Sequence, residues 1–363
     1  MPMKKKVTLR HIAESLGLTV HTVSKALRGL PGMSEDTRKA VIAKARELGY
    51  RTKAQEEGVF AERIPRIVGK PRRFAMLLLS GDERHFHHPQ FEGAQQRLGE
   101  LGHTLHPLLL PRSLSTAAEL QRWLEQNAVL YTEGLFLTAG LPEWIESALL
   151  ALPLPKVVIN YPPFGAAVDS VIWDVEHAVY QSVELLHRRG HRSILYVGDT
   201  EPHRVYRLRW KAFLAAAERF GLAGDDGGHL TRGAGDRAAW MEALRERLAS
   251  GRYTAVLSAI PGNAEWVSAA AASVRIRIPE EMSLIAIEHE DDAYDPDLTR
   301  PLLPVRKAGE RAAELMLRRL ANPALPWEHV RLLGPLHEGQ TVRTPPNGGA
   351  GGLRDNRHPN KDR

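Results

Sequence analysis

The chain has 363 residues, 43% of them hydrophobic, which is material for two or three domains, and it has no cysteine, which excludes disulfides, thiolate nucleophiles and cysteine-ligated zinc. Residues 1–73 hold 17 Lys and Arg against 7 Asp and Glu, a net of +10, whereas the rest nets −4; a basic head on a mildly acidic body points to a polyanionic partner for the head. No apolar run approaches the roughly 20 residues that span a bilayer, and MPMKKKVTLRHIA has no apolar stretch behind its basic residues, so a soluble cytoplasmic protein is the expectation.

Three short helices are predicted in the head. VTLRHIAESLG places Leu9, Ile12, Ala13 and Leu16 at helical spacing, with Thr8 as N-cap and Gly17 as the stop. In LTVHTVSKALRG, Thr19 caps a second helix whose inward face is Val23, Ala26 and Leu27. In MSEDTRKAVIAKARELGY, Ser34 is the N-cap and Glu35 and Asp36 suit the helix dipole. Val41, Ile42, Ala45 and Leu48 face inward, and Gly49 ends the helix. Two short helices joined by a tight turn, with a third closing the core, make a helix-turn-helix; a purely structural three-helix bundle is the alternative.

The second helix of such a unit enters the major groove. Its outward residues are Val20, His21, Ser24, Lys25 and Arg28. Val20 suits a thymine methyl, and His21 and Lys25 suit guanine acceptors. Thr19 or Thr22 can hold phosphate.

The head resembles the N-terminal domain of the lactose-repressor (LacI/GalR) family. The residues that carry the resemblance are Thr8, Leu9, Ile12, Ala13, Gly17, Leu18, Thr19, Thr22, Val23, Ser24, Lys25 and Leu27, with LGY closing the third helix. It adds Thr8, Leu9 and Arg10 to the expected DNA contacts. Arg28 stands where the family usually has Asn. The family's hinge, usually with Pro-Asn, Ala and a Leu that wedges into the minor groove, is altered. Here Thr52, Lys53, Glu56 and Val59 occupy those places. Either Val59 or the neighbouring Phe60 replaces the wedge, or the linker adds only phosphate contacts through the Arg and Lys of 63–73.

From Phe74 strands and helices alternate: FAMLLL, FEGAQQRLGELGH, TLHPLLL, STAAELQRWLEQNA, GLFLTA, PEWIESALLAL and KVVIN. A second set starts near Ser170 with SVIWD, a helix at 176–189, SILYVGD, RLRWKAFLAAAERFGL, a helix at 236–250, TAVLSA, a helix near 264–273 and SLIAIE. Such alternation implies parallel sheets in two similar lobes, with ligands at the carboxyl ends of the strands. The expected fold is an all-α helix-turn-helix head on an α/β, periplasmic-binding-protein-like body. The expected boundaries are 1–53 for the DNA-binding head, 54–73 for the hinge, 74–344 for the body and 345–363 for a disordered Gly/Pro-rich tail. Within the body the first lobe takes about 74–165 plus 296–325, and the second about 166–295.

The family resemblance continues through RRGHRSILYVGD, RLRWKAF, RIPEEMSLIAIEHED and LTRPLLPVRKAGERAAELMLRRL. It implies a homodimer on a roughly palindromic operator, with a small-molecule effector of unknown identity in the cleft. Carried over residue by residue, it implies effector contacts at Arg209, at Glu288 where Asp is usual, and at Tyr206. The usual Asn-Asp pair gives way to Ile260 and Pro261, with Asn263 as a partial substitute.

ERHFHHPQF, Glu83 to Phe91, follows the first strand, where the family's loop lines the pocket. Phe86 can stack on a ring, and His87 or His88 can donate to a ligand. His85, His87 and His88 lack a carboxylate at metal-ligand spacing, so no metal is expected. No P-loop, G-x-S-x-G, H-E-x-x-H or G-x-G-x-x-G motif is present, so no catalytic residue or cofactor is expected either. The expected function is a sequence-specific transcriptional regulator of the repressor type, controlled by a small molecule in the interlobe cleft, with a sugar-like compound as one candidate. The alternatives are a regulator with a non-sugar or vestigial site, or a sugar- or metal-dependent enzyme.

Overall fold

The computed structural model describes residues 7–27, 30, 32–48, 50, 71–79, 88–201, 203–222, 224, 227–232, 236–289 and 296–345. The head helices and the body from residue 71 onward, apart from residues 320–323, fall in separate compact units, and each is described by itself.

In the head, α1 spans Leu9–Leu16, α2 Val20–Leu27 and α3 Glu35–Glu47. Ile12, Val23 and Val41 are fully buried where the three helices meet, with Ala13, Ala26 and Ala45 beside them. Burying each large aliphatic side chain contributes about 1.5–3 kcal/mol, so a core this small relies on good caps as well. Ile42, placed inward by its spacing, is only partly buried.

Each helix start is capped locally. The Thr8 N–H donates to His11 Nδ1 (3.1 Å), a capping box with histidine in the usual acidic place. Thr22 N–H donates to Thr19 Oγ1 (3.1 Å), and Thr37 N–H to Ser34 Oγ (3.2 Å). Gly17 ends α1 at φ 63°, a left-handed conformation that a side chain disfavours, and this permits the tight turn into α2.

The body opens with β1 (Arg73–Leu79), α4 (His88–Glu100), β2 (Thr104–Leu110), α5 (Ala117–Gln126), β3 (Leu135–Thr138), α6 (Glu143–Leu150), β4 (Lys156–Ile159) and β5 (Asp169–Trp173). Then come α7 (Val175–Arg188), β6 (Ile194–Val197), α8 (Arg204–Arg219), α9 (Arg237–Ala249), β7 (Ala255–Ser258), α10 (Ala264–Ser273), β8 (Ser283–Ala286) and β9 (Glu288–His289). The chain continues through β10 (Arg300–Leu303), α11 (Val305–Ala321), β11 (His329–Leu332) and β12 (Leu336–His337).

The first lobe is a six-stranded parallel sheet in the order β11-β5-β4-β3-β1-β2. β3 and β4 are buried along nearly their whole length because helices cover both faces, which is why they read as apolar runs. Pro107 is tolerated in β2 because that strand lies at the edge. The second lobe is the parallel sheet β6-β7-β8, extended by single bridges from Val197 to Leu230 and from Ile285 to Thr299. A small sheet, β12-β10-β9, joins the return segments. Among the described residues no helix is long and apolar enough to cross a membrane.

Two details of the expected lobe division are corrected. SVIWD was expected to open the second lobe, but β5 pairs with β4 (Val157↔Asp169) and with β11 in the first sheet. All five of its residues are buried, and an apolar strand of this kind carries no sign of which sheet it joins. The chain therefore crosses between the lobes after Trp173. At the far end, Thr299 still bridges to Ile285 of the second lobe, so the return to the first lobe comes at α11. β11 has an alternating, half-exposed pattern and was not foreseen.

The docking of α11 is tight. A Cβ on Gly93 would lie 2.1 Å from the Arg306 carbonyl oxygen, and one on Gly309 would lie 2.0 Å from that of Gln90. Two glycines thus let the backbones of α4 and α11 touch. Glu92 pairs with Arg306 and Arg97 with Glu314 (3.0 Å) along the same contact. At its other end α11 is fixed by Arg319, whose Nε and Nη2 donate to Asp169 (2.7 and 3.0 Å) and whose guanidinium lies 4.1 Å from the Trp327 ring centroid.

Candidate functional site

On α2 the side chains divide cleanly. Val23 and Ala26 are buried, while Val20 is 43% exposed and His21 is exposed; Thr22, Ser24 and Lys25 are partly exposed. One face therefore holds the core and the other presents a thymine-sized apolar group beside hydrogen-bond donors. Thr19 is engaged at the cap, with its hydroxyl also 2.9 Å from that of Thr22. Arg10 is exposed, whereas Leu9 packs against the head core. Arg38 donates from Nη2 to the Leu30 carbonyl (3.0 Å) and lies 3.8 Å from Glu35, so it braces the approach to α3 instead of standing free for phosphate. Arg28, Val59 and Phe60 lie outside the described residues.

In the body, the carboxyl ends of both sheets border one cleft. The first lobe supplies Gln90 at the start of α4, Ala139 and Gly140 after β3, Asn160 after β4, and Ile172 and Trp173 at the end of β5. The second lobe supplies His203, Val205, Tyr206 and Arg209 from the segment after β6. Ligands of open parallel sheets bind at this strand end. A more open groove lies along the Leu230 edge beside α9, where Asp236 caps α9 and Arg247 donates to the Gly228 and Ala243 carbonyls.

Arg209 dominates the cleft. It is 1% exposed, and Nη1 donates to the Ala259 carbonyl (2.5 Å), while Nε has no hydrogen-bond partner. The guanidinium carbon sits 5.3 Å from the Tyr206 ring centroid. Burial lowers its pKa from the ordinary arginine value, opposed by Tyr206, Tyr196 and then Glu288, yet an arginine stays charged at any working pH. Glu288, buried beside this site, accepts from the Gly262 N–H (2.8 Å). Asn263 is buried at the start of α10 and does not line the cleft.

The rim is closed by an ion pair. Arg204, first residue of α8, donates from Nη1 and Nη2 to Glu146 of α6 (2.8 and 2.7 Å) and also to the Tyr161 carbonyl. Tyr161 is buried, and its hydroxyl oxygen accepts from Val175 N–H (3.3 Å) where the chain crosses between lobes. Burial first, and then the Asp174 charge, raise the Tyr161 pKa, so the hydroxyl stays protonated.

Of the residues expected around the effector, Tyr206 and Arg209 line the cleft and Glu288 acts on Arg209 from behind. Phe86 and His87 lie outside the described residues; His88 opens α4, with its side chain outside what is described. Gln90, Asn160, Trp173, Arg204 and Glu146 were not foreseen. The first three could have been found by asking which residues end a strand or begin the next helix. The ion pair joins residues 58 positions apart and leaves no local signal. Among the described residues no three His, Asp or Glu side chains are grouped to hold a metal.

Residues 8–53 match the model of bacterial regulatory proteins of the lacI family, and residues 183–342 match the periplasmic binding protein-like domain. The HTH-type transcriptional repressor PurR of Vibrio cholerae serotype O1 (strain M66-2) is 23% identical over 334 residues, covering 91% of this chain and 95% of that protein. PurR of Escherichia coli O1:K1 / APEC is 24% identical over 323 residues, covering 87% and 91%. Among solved structures, the lac repressor dimer bound to operator and the anti-inducer ONPF has a TM-score of 0.63 at 19% identity, covering 93% of this chain and 100% of that one. The transcriptional regulator CelR–cellobiose complex has a TM-score of 0.64 at 20% identity with the same coverage. The chain thus joins a DNA-binding domain of the lacI family at its N-terminus to a periplasmic binding protein-like domain, and PurR repressors match it along nearly its whole length.

Proposed function

We propose that the chain is a sequence-specific DNA-binding transcriptional regulator, acting as a repressor, whose hold on DNA is set by a small molecule in the interlobe cleft. The observation that carries this is α2: its inner face is consumed by the head core, while Val20, His21, Ser24 and Lys25 are left on the surface at the start of a capped helix. That is the arrangement by which a recognition helix reads base edges. The net +10 of residues 1–73 supplies the sequence-independent attraction to phosphate. The repressors it matches along nearly its whole length support the repressing sense.

On this reading two copies place two α2 helices in successive major grooves of a roughly palindromic site, about 10 base pairs apart or a multiple of that. The cleft binds its ligand without turning it over. Ligand occupancy changes lobe closure, and the difference in affinity between the two lobe arrangements is the coupling free energy delivered to the head. Thr8, Arg10, Thr19 and Thr22 would contact the backbone, and Arg209, Tyr206 and Glu288 would set the ligand's position.

The test is selection of genomic fragments by the purified chain, followed by footprinting. Two protected half-sites related by a dyad are expected. Protection spread evenly over every fragment would sink the proposal.

A further inference from the structure

The polar groups of the cleft have an uneven balance of donors and acceptors. Arg209 is 1% exposed and carries a fixed positive charge, with its Nε lacking a hydrogen-bond partner. Gln90, also 1% exposed, has neither its amide nitrogen nor its amide oxygen partnered. Both line the same cleft. A buried, incompletely bonded cation is costly unless a ligand completes it. Asn160 Oδ1 accepts from the Tyr161 N–H (2.8 Å), which leaves its amide NH2 as a further donor.

Among the described residues that line the cleft there is no carboxylate. Sugar hydroxyls donate as well as accept, so a sugar needs acceptors that this wall supplies poorly. The remaining wall is apolar or aromatic, with Ile172 and Trp173 on one lobe and Tyr206 on the other. A flat body with an acceptor-only end satisfies both halves of such a site.

Building on the assignment of this cleft as the effector site, we propose that its ligand is a small planar carboxylic acid. The carboxylate meets Arg209, the ring lies against Ile172 and Trp173, and Gln90 supplies a second, neutral contact. A charged acceptor on a buried guanidinium forms the stronger class of hydrogen bond, and it completes the Nε that Ala259 and the charge of Glu288 leave without a hydrogen-bond partner.

The full-length protein is titrated by calorimetry with benzoate, 4-hydroxybenzoate, nicotinate and indole-3-carboxylate. Benzamide, 4-hydroxybenzamide, nicotinamide, indole-3-carboxamide, benzyl alcohol, ribose, cellobiose and adenine serve as the neutral set. At least one acid is expected to bind, at least about tenfold tighter than its matching amide. Arg209→Gln removes that preference. Gln90→Leu leaves Arg209 in place, so it weakens acid and amide together and keeps their ratio, which guards against a misfolded Arg209 variant. Equal binding of acid and amide, a preference for a sugar or for adenine, or no binding of any of the four acids overturns the proposal. DNA selection is measured on the same preparation. Intact DNA selection without acid binding overturns this inference alone, whereas lost DNA selection overturns the regulator reading instead.

Discussion

Arg204 and Glu146 clasp the two lobes together across the cleft rim, through two hydrogen bonds of 2.8 and 2.7 Å between a guanidinium fork and a buried carboxylate. Such paired geometry is directional as well as attractive. It fixes α8, which carries Tyr206 and Arg209, relative to α6 of the first lobe. Removing Arg204 would leave Glu146 buried and unpaired, because Arg204 supplies both of its bonds to the rim. Arg204→Ala is therefore expected to lower stability by about 2–4 kcal/mol, with the partial exposure of Arg204 keeping it at or below the range for fully buried pairs. Small-angle scattering would show a wider cleft. An unchanged scattering curve together with an unchanged denaturation midpoint would rule out the clasp.

The buried pair Arg319–Asp169 anchors α11 to β5. Arg319 also donates to the Leu325 and Pro326 carbonyls, which are neutral, so the Asp169 carboxylate matters for its charge. Asp169→Ala leaves that charge uncompensated and is expected to cost about 3–5 kcal/mol in urea denaturation. A cost within the scatter of surface substitutions would contradict this.

The glycine contact between α4 and α11 makes a prediction of the opposite kind, overfilling. Gly309→Ala places a methyl group against the Gln90 backbone and is expected to cost about 1–3 kcal/mol. Because Gln90 lines the cleft, the same substitution is expected to weaken ligand binding more than Gly99→Ala, where a Cβ meets nothing within 4 Å. Equal effects at the two positions would show that the helix contact does not set the cleft.

Acid is expected to loosen the body. His191 is buried with its ring nitrogens 2.8 Å from Thr254 Oγ1 and from the Arg343 carbonyl oxygen. Burial lowers its pKa, and burial, then Arg72, does the same to His103. With the folded value below the ordinary 6.5, the folded state favours the neutral ring and the unfolded chain takes up the proton first. Stability present above pH 6.5 is therefore lost as pH falls toward the folded values. Urea midpoints at a series of pH values would show it, and His191→Gln should flatten the slope.

Much of the fold can be read in the sequence because its signals are local. The head helices follow from spacing and from Thr8, Thr19 and Ser34 as caps, and most of the body elements appear as apolar runs separated by helical periodicity. Sheet membership is not a local property. β5 looks like any buried strand, and only its pairing with β4 assigns it to the first lobe. β11 was missed because it is half-exposed and carries no continuous apolar run. Arg209 could be foreseen from a matched motif, but Gln90, Trp173 and the Arg204–Glu146 clasp depend on which strand ends face each other, and that depends on topology.

His21 and Lys25 carry the central claim at residue level. Alanine at either is expected to relax base preference at one position by about 1–3 kcal/mol while changing non-specific binding little. Alanine at Arg10 should instead weaken all DNA alike and reduce the salt slope.

The most direct measurement is the ratio of affinities for a selected genomic site and for random DNA of equal length, followed across a salt series. The account predicts that the ratio stays at about a thousandfold or more at physiological salt, while the non-specific affinity falls steeply with added salt. A ratio near one, with both affinities falling together, would contradict it.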